Sequence, residues 1–468
     1  MLKNMISFKN IITIGLVSCA ICATATSCRE NEFGEVDLTM PEEKYVPVAA
    51  NYSYAGGHCA MFTDADFQRV EASLDNGSAP QPVKQEFDNL KKSNYALLSY
   101  TATPQTKIVR GDPTGTGFDK ENYAYAMRDA AAAYQMGILW RLTGDDRYAA
   151  KVVEILNAWA VTCKEIASND ANQVLAAGAQ GMTFANAAGI VYNYSGWTSS
   201  QREQFKQWMM SVFASKNKNF LDTHTGSNVC EEHYWSNWDL VNMCSYFAIG
   251  VLTENNDMVN YVVNYFYQGV GNGCINKLIR GTHVDPLGTG ETICQNQESG
   301  RDQGHSEMSM MVSANLAQMA WSLYQANSSV KELDFFSAKD NALMKMGEYV
   351  ALFNLRNGTD NANKNGSWLV TATQMPFTEF KYCINCNCRD KNHGATHTQA
   401  ADDSGRGSVR PGWEILLAHY GNTAGHKYIQ QMADKIRPEG GSGEGLNRYG
   451  DNSGAFDQLG WCTLMLYK

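Results

Sequence analysis

The sequence predicts a mainly α-helical protein, an (α/α) toroid formed as an incomplete barrel of helical hairpins. Three observations carry this: apolar residues recur at helical spacing over long segments, strand-like alternation is scarce, and one hairpin pattern appears twice. In the first occurrence Glu121 to Leu142 meets the turn Thr143-Gly144-Asp145-Asp146 and returns as Tyr148 to Cys163. In the second, Asp239 to Leu252 meets Thr253 to Asp257 and returns as Met258 to Tyr267. The turns read L-T-G-D-D and L-T-E-N-N-D. Stacked hairpins bury their apolar stripes by closing, or nearly closing, into a ring.

The other elements flank these hairpins. Thr63 with Asp66 resembles a capping box ahead of Phe67, Val70 and Leu74, and Pro82 opens a second helix that runs to about Tyr100. Residues 101–118 read as a loop. Further helices are expected over Asn172 to Tyr192, Ser199 to Phe213, Gln303 to Ala326, Val330 to Leu355, Trp413 to Tyr420 and Ala424 to Ile436. The Gly- and Asn-rich tail Pro438 to Gly454 reads as a loop, after which Phe456 to Tyr467 is apolar enough to pack back on the body.

The N-terminus reads as a secretory signal. Lys3 and Lys9 precede an apolar run, Ile11 to Cys22, and small residues end in Ser27-Cys28. This resembles a bacterial lipoprotein signal with Cys28 as the lipidated first residue of the mature chain. Leu16-Val17-Ser18-Cys19 is a competing site, but the polar mature chain begins directly after Cys28. The expected organisation is a signal over 1–27, a polar linker over 28–57 and one large domain over 58–468. The expected location is the outer membrane, reached by the lipid anchor alone, facing the periplasm or the cell surface. Of 13 Cys in the chain, ten remain once Cys19 and Cys22 are removed and Cys28 is lipidated; export permits disulfides, but the scattered positions show no framework.

The formal net charge of −10 argues against nucleic acid as a partner, yet leaves room for an anionic glycan at a local Arg/His cluster. The 10 Trp and 23 Tyr suit sugar stacking as well as core packing. No phosphate loop, dinucleotide fingerprint or G-x-S-x-G occurs, so those chemistries have no support.

Candidate chemistry gathers in three polar-to-helical junctions. Q-N-Q-E-S-G-R-D-Q-G-H holds Gln295, Gln297, Glu298, Arg301, Asp302, Gln303 and His305. With a helix starting near Ser299, Arg301 and His305 share a face, and a guanidinium there suits bidentate pairing with a substrate carboxylate. A salt-bridged structural cluster with Glu298, Asp302 and Glu307 is the competing reading. E-E-H-Y-W-S-N-W-D-L puts His233 and Asn237 on one face of a helix start beside Tyr234, Trp235 and Trp238; local hydrogen bonding of His233 with core Trp residues is the alternative. R-P-G-W-E-I-L-L-A-H-Y brings Arg410, Glu414, His419 and Tyr420, with structural Arg–Glu pairing as the alternative. Cys383, Cys386 and Cys388 with His393 and His397 have zinc-like spacing, but in an exported protein a disulfide among them is the stronger expectation and no metal is assigned.

H-Y-W-S-N-W-D-L, E-S-G-R-D-Q-G-H, R-P-G-W-E-I-L-L-A-H-Y and the final F-D-Q-L-G-W-C-T-L together resemble the alginate lyase superfamily of polysaccharide lyases, and are most similar to the lipoproteins of gut Bacteroidetes grouped with family 38. The resemblance spans about 58 to 468 and implies an (α/α) toroid and β-elimination on a uronic-acid polymer. Where better-known members carry N-N-H-x-Y-W, Glu231 and Glu232 here precede His233, which leaves Asn237 or Gln297 for the neutralising amide. The family's Tyr just past the Arg is replaced by Ser306, Glu307 and Met308, so Tyr234 and Tyr420 become candidate donors.

These readings converge on a lyase for a 1,4-linked uronan such as alginate or a glucuronan. His233 is the base, Arg301 with Asn237 or Gln297 neutralises the carboxylate, and a Tyr or His305 protonates the leaving oxygen. Gln297, Glu298, Gln303, Trp235, Arg410 and Tyr420 are the expected substrate contacts. No metal or organic cofactor is needed, and the oligomeric state is not addressed by the sequence. Two alternatives stand: a glycoside hydrolase using Glu298 with Asp302 or Glu232 with Asp239, and a surface lipoprotein that binds glycan without turnover.

Overall fold

Apolar residues on every face of four helices decide the architecture, because such helices are stable only when surrounded by protein. The computed structural model describes residues 45–111, 120–168, 171–224, 231–357, 366–381, 396–408, 410–421, 427–437 and 457–468. The helices among them are α1 (Asp64–Asp75), α2 (Gln81–Lys92), α3 (Tyr123–Thr143), α4 (Asp146–Thr162), α5 (Asn172–Ile190), α6 (Ser199–Trp208), α7 (Ser215–Thr223), α8 (Ser236–Leu252), α9 (Asn256–Gln268), α10 (Ile275–Leu278), α11 (Gln303–Tyr324), α12 (Ala338–Asn354), α13 (Trp413–Tyr420), α14 (Lys427–Ile436) and α15 (Cys462–Leu466). A π-helical stretch, Met209–Ala214, joins α6 to α7.

Helices α3, α5, α8 and α11 are buried almost throughout and pack in succession, each against the next. α4 and α9, which pack on α3 and α8, are amphipathic and bury one face only, as does α14 against α12 and α13. This two-layer arrangement of inner and outer helices is the (α/α) toroid. The inner helices approach closely where side chains are small. A Cβ on Gly178 of α5 would stand 2.6 Å from Val241 Cγ2 of α8, so only glycine fits there.

The two hairpin turns share their chemistry. Thr143 Oγ1 donates to Leu139 O and Thr253 Oγ1 to Ile249 O, both at 2.7 Å. Gly144 (φ 64°) and Glu254 (φ 54°) then take the same left-handed step, and Asp145 and Asn255 cap the returning helices. Glu254 accepts the strain that Gly144 avoids.

Strands are few and short among the described residues. β1 (Lys107–Val109) pairs in parallel with β2 (Glu165–Ala167). β3 (Ile279–Val284) and β4 (Thr292–Asn296) form an antiparallel hairpin, and β5 (Phe380–Lys381) pairs antiparallel with β6 (Thr396–His397).

Three expectations change. The helix from Pro82 stops at Lys92, where Ser93 turns extended and its hydroxyl accepts the Tyr95 N–H, a local bond that competes with the helix. The helix expected over Val330 to Leu355 is broken: a 3₁₀ turn, Lys331–Leu333, precedes α12, and Lys339, Asp340 and Asn341 are left-handed. The polar segment before residue 58 is no loose linker from Tyr45 onward, because α9 carries a ladder of asparagines one turn apart. Asn264, Asn260 and Asn256 accept the N–H groups of Val48, Ala50 and Tyr52 at 2.7, 3.0 and 3.2 Å, and Asn264 and Asn260 donate back to the carbonyls of Val48 and Ala50. The C-terminal segment packs inside the body as expected, with Leu459 N–H donating to Asn315 of α11 at 2.8 Å.

Candidate active site

The turn that carries Arg301 is tied to the loop that carries His233 by helix capping across the chain. α8 begins at Ser236, so its first N–H groups lack partners within the helix. Gln297 Oε1 accepts the Ser236 N–H at 2.9 Å, and Glu298 Oε1 accepts the Asn237 N–H at 3.2 Å. A carboxylate and an amide oxygen at a helix N-terminus also complement its dipole. Ser309 and Arg301 bond the Glu298 carboxyl as well. Burial pushes that carboxyl up, opposed by Arg301, His305 and the Asn237 N–H.

α11 starts at Gln303, as the expected span Gln303 to Ala326 has it, and not near Ser299. Asp302 is its N-cap, so Arg301 precedes the helix instead of sharing a face with His305. The bend at Ser299–Arg301 follows from β4, whose pairing to β3 holds the chain extended through Asn296. His233 likewise lies in the loop before α8, and Trp235 is the residue preceding its first turn.

Arg301 and His305 still meet, through Asp302. The Asp302 carboxylate accepts the His305 backbone N–H at 2.8 Å and its ring Nδ1–H at 2.6 Å, and lies 3.7 Å from Arg301 Nε. A carboxylate only accepts, so Nδ1 is the protonated nitrogen and Nε2 is left for other chemistry. Burial alone would raise Asp302; the His305 hydrogen bonds and charge and the Arg301 charge outweigh it and hold the carboxyl below its usual range. The Arg301 guanidinium sits 5.0 Å from the Trp235 ring centroid, and the His397 ring lies 5.5 Å from it. The His233 and Tyr234 rings meet edge to face at 4.6 Å, and Tyr234 packs on Trp238, Phe220 and His224.

Other candidates serve the fold. Gln295 is held by His283 and by both backbone groups of Thr378. Gln303 donates to Val350 O at 2.8 Å. Tyr420 is buried, and its hydroxyl donates to Phe336 O. Tyr420 and Phe336 adjoin Trp321 and His419 near the C-terminal end of α11, about 24 Å along the helix from His305 at 1.5 Å per residue. The structure therefore removes Tyr420 as proton donor and as substrate contact. Arg410 lies closer to the junction: its N–H donates to Glu307 Oε1 at 3.1 Å and its guanidinium to Gln458 Oε1 at 3.0 Å.

The carboxylate pairs needed for a hydrolase are committed elsewhere. Glu298 caps α8, Asp302 caps α11, and Glu232 pairs with Lys277 at 3.1 Å. Asp239 accepts from His224 at 2.8 Å, Tyr265 at 3.3 Å and the Gly273 N–H at 2.8 Å. Two polar atoms in the junction have no hydrogen-bond partner: Asn237 Oδ1 and Gln297 Nε2. The former only accepts, while the Nδ2 of the same amide donates to Met308 Sδ at 3.8 Å; the latter is a buried donor without a partner.

Sequence reading passed over Asn272, which donates to the carbonyls of Glu232 and Tyr234 at 3.1 and 2.8 Å and so fixes the backbone on both sides of His233. Its signal is G-N-G at 271–273. A Cβ at Gly271 would stand 2.3 Å from Asp239 Oδ2 and one at Gly273 2.5 Å from Asp239 Cβ, so both glycines are demanded by packing on α8. Cys383, Cys386, Cys388 and His393, like Cys28, lie outside the described residues; Cys59, Cys163, Cys244, Cys274, Cys294 and Cys462 are buried and in the thiol form.

Comparison with known proteins gives the family and the fold. The family profile described as alginate lyase matches residues 73–358, which include His233, Arg301 and His305. Among solved structures, the chain is similar to alginate lyase A1-III from Sphingomonas species A1, with 14% identity, a TM-score of 0.53 and coverage of 90% of this chain and 98% of that one. A variant of alginate lyase A1-III complexed with tetrasaccharide gives 15% identity and a TM-score of 0.53, covering 90% of this chain and 97% of that one. An apo variant gives 14% and 0.54, covering 90% and 97%. No curated protein matches the sequence.

Proposed function

The chain belongs to the alginate lyase family and is a polysaccharide lyase, and from that premise we propose that it cleaves a 1,4-linked uronic-acid polymer, alginate or a glucuronan, by β-elimination. The observation that carries this reading is the capping of α8 by Gln297 and Glu298, which fixes the His233 loop against the Arg301 turn. The tetrasaccharide held by a variant of alginate lyase A1-III supports an oligomeric sugar as ligand of this fold.

In the proposed reaction His233 removes the proton from C5 of the uronate. The C–H electrons form the C4=C5 double bond as the C4–O4 bond breaks, leaving an unsaturated uronate end. Negative charge builds on the carboxylate during proton removal and needs fixed donors. Arg301, steadied by Trp235 and Glu298, supplies a guanidinium, and Gln297 Nε2 supplies an amide N–H that has no other partner. His305 enters this step as the imidazolium: its Nδ1–H stays on the Asp302 carboxylate, and its Nε2–H passes to the leaving O4, so His305 ends neutral as His233 ends protonated. Every step uses side chains of this chain.

The test is absorbance of the unsaturated uronate product across mannuronan, guluronan and glucuronan, with His233→Ala and Arg301→Ala beside the wild type. The reading expects product from at least one polymer and a loss of about a hundredfold or more in each variant. Wild-type rates in both variants would reject the site. Saturated products would reject the chemistry. We propose also that the chain is exported and anchored through Cys28, in the periplasm or at the surface; Cys28→Ala should then move it from the membrane to the soluble fraction.

A further inference from the structure

Beyond His305 lies a second group of polar side chains that the fold leaves unsatisfied. Asp457 is 4% exposed, and its Oδ1 has no hydrogen-bond partner. Gln458, 1% exposed, accepts from Arg410 through Oε1 at 3.0 Å, while its Nε2 is also without a partner. The segment that carries them is held rigidly: the Leu459 N–H donates to Asn315 Oδ1 at 2.8 Å, and Tyr134 donates to Gly460 O at 3.4 Å. Burial raises the Asp457 carboxyl, and the charges of Arg110, Arg410 and His305 oppose that rise. Arg110 is steadied over the Tyr123 ring at 4.6 Å, and the Arg410 backbone is fixed by Glu307.

Buried polar atoms normally find partners within the protein, since an unpaired one is destabilising. Here two adjacent residues leave an acceptor and a donor open beside the Arg410 guanidinium, with Arg110 near enough for its charge to act on Asp457. Their chemistry matches a sugar acid: guanidinium groups bind its carboxylate, a carboxyl oxygen takes a hydroxyl, and an amide N–H reaches a ring or hydroxyl oxygen. We infer that Arg110, Arg410, Asp457 and Gln458 form a second uronate-binding subsite, which holds a sugar unit other than the one reacting between His233 and Arg301. Arg110 and Arg410 take the carboxylate of that unit, Asp457 accepts from one of its hydroxyls, and Gln458 donates from Nε2. The inference rests on the uronan reading above. It assigns this subsite to affinity for the chain of sugars, apart from the elimination itself.

The experiment measures equilibrium binding of mannuronate, guluronate and glucuronate tetrasaccharides, with KM, kcat and melting temperature, for wild type, Asp457→Leu, Asp457→Asn and Arg110→Gln. For the tetrasaccharide that wild type binds, the expected Kd rises about tenfold in Asp457→Leu and Arg110→Gln and less in Asp457→Asn, which keeps an acceptor oxygen. KM should follow Kd while kcat stays within about threefold. The melting temperature of Asp457→Leu should not fall, because an unpaired buried carboxyl does not stabilise the fold. Unchanged Kd in the Asp457 and Arg110 variants overturns the subsite. So does a lower melting temperature and kcat at constant Kd, which marks a structural carboxyl. If Asp457→Leu does not fold, Asp457→Asn and Arg110→Gln decide by the same Kd criterion. Product formation with insensitive variants rejects the subsite alone, whereas a wild type that neither binds nor cleaves any of the three rejects the uronan reading with it.

Discussion

Asn272 donates its side-chain N–H to the Tyr234 carbonyl at 2.8 Å and reaches the Glu232 carbonyl from the same nitrogen at 3.1 Å, so one buried amide grips the chain on both sides of His233. Arg280 fixes the other end of that amide by donating to its oxygen. Asn272→Ala should leave two carbonyls unpaired and let the loop shift, costing about 1–3 kcal/mol of stability and about tenfold or more in kcat. Denaturant unfolding and initial rates on the preferred uronan measure both. A kcat equal to wild type would show that the grip does not position His233.

The proton donor can be separated by leaving-group chemistry. His305→Ala should lower kcat on polymer by about 10²–10⁴-fold. A uronate carrying an acidic phenol at O4 should lose far less, because such a leaving group departs without protonation. Asp302→Asn, which weakens the hold on Nδ1 and keeps a helix cap, should fall between wild type and His305→Ala. Equal losses on both substrates would move the donor elsewhere.

Tyr420→Phe should retain wild-type kcat and KM, since its hydroxyl serves the Phe336 carbonyl in the core. The substitution removes one hydrogen bond and should cost about 1 kcal/mol of stability. A fall in kcat without a fall in stability would reinstate Tyr420 as a functional residue.

Glu348 gives the fold a pH dependence away from the active site. It accepts the backbone N–H groups of Tyr428 and Ile429 at the start of α14. Burial pushes its carboxyl up to about 8, with the Asp285 charge adding to the effect and the two backbone donors opposing it. The folded value lies above the unfolded value of about 4.3, so the folded state holds the proton more tightly. The resulting stability is complete below about pH 4 and is lost as pH rises through about 8, by at most about 1.4 kcal/mol per pH unit. Glu348→Gln keeps an acceptor and removes the titration. Urea midpoints at pH 5, 6.5 and 8.5 should decline more in wild type than in the variant.

Close packing of α5 on α8 predicts a strong response at Gly178. Gly178→Ala would place a Cβ 2.9 Å from the Val241 backbone carbonyl carbon as well as against its side chain, contacts that a rotamer change cannot relieve. The expected cost is about 1–3 kcal/mol, read as a lower melting temperature with KM unchanged.

Much of this was legible in the chain because it depends on local chemistry. The helical hairpins follow from apolar periodicity and from Thr, Asp and Asn at the turns, where Thr143 and Thr253 bond back and Asp145 and Asn255 cap. The same locality made the E-S-G-R-D-Q-G-H and H-Y-W-S-N-W stretches stand out as candidate sites. The sequence by itself therefore determined the fold class, the family and the two polar junctions.

Tertiary structure decided what each polar residue does, because a side chain's partner is set by packing between distant segments. Gln297 and Glu298 cap a helix some sixty residues away in sequence, with |i−j| of 61 for both bonds. The β4 strand, stabilised by pairing with β3, delays the start of α11 until Asp302 and leaves Arg301 in a turn. Packing of α13 at the far end of α11 takes Tyr420 away from His305, and burial of the C-terminal segment brings Asp457 under its influence. Periodicity reports which face of a helix is apolar; it carries no information on which neighbour will satisfy a donor, and that choice is made only when the ring of helices closes.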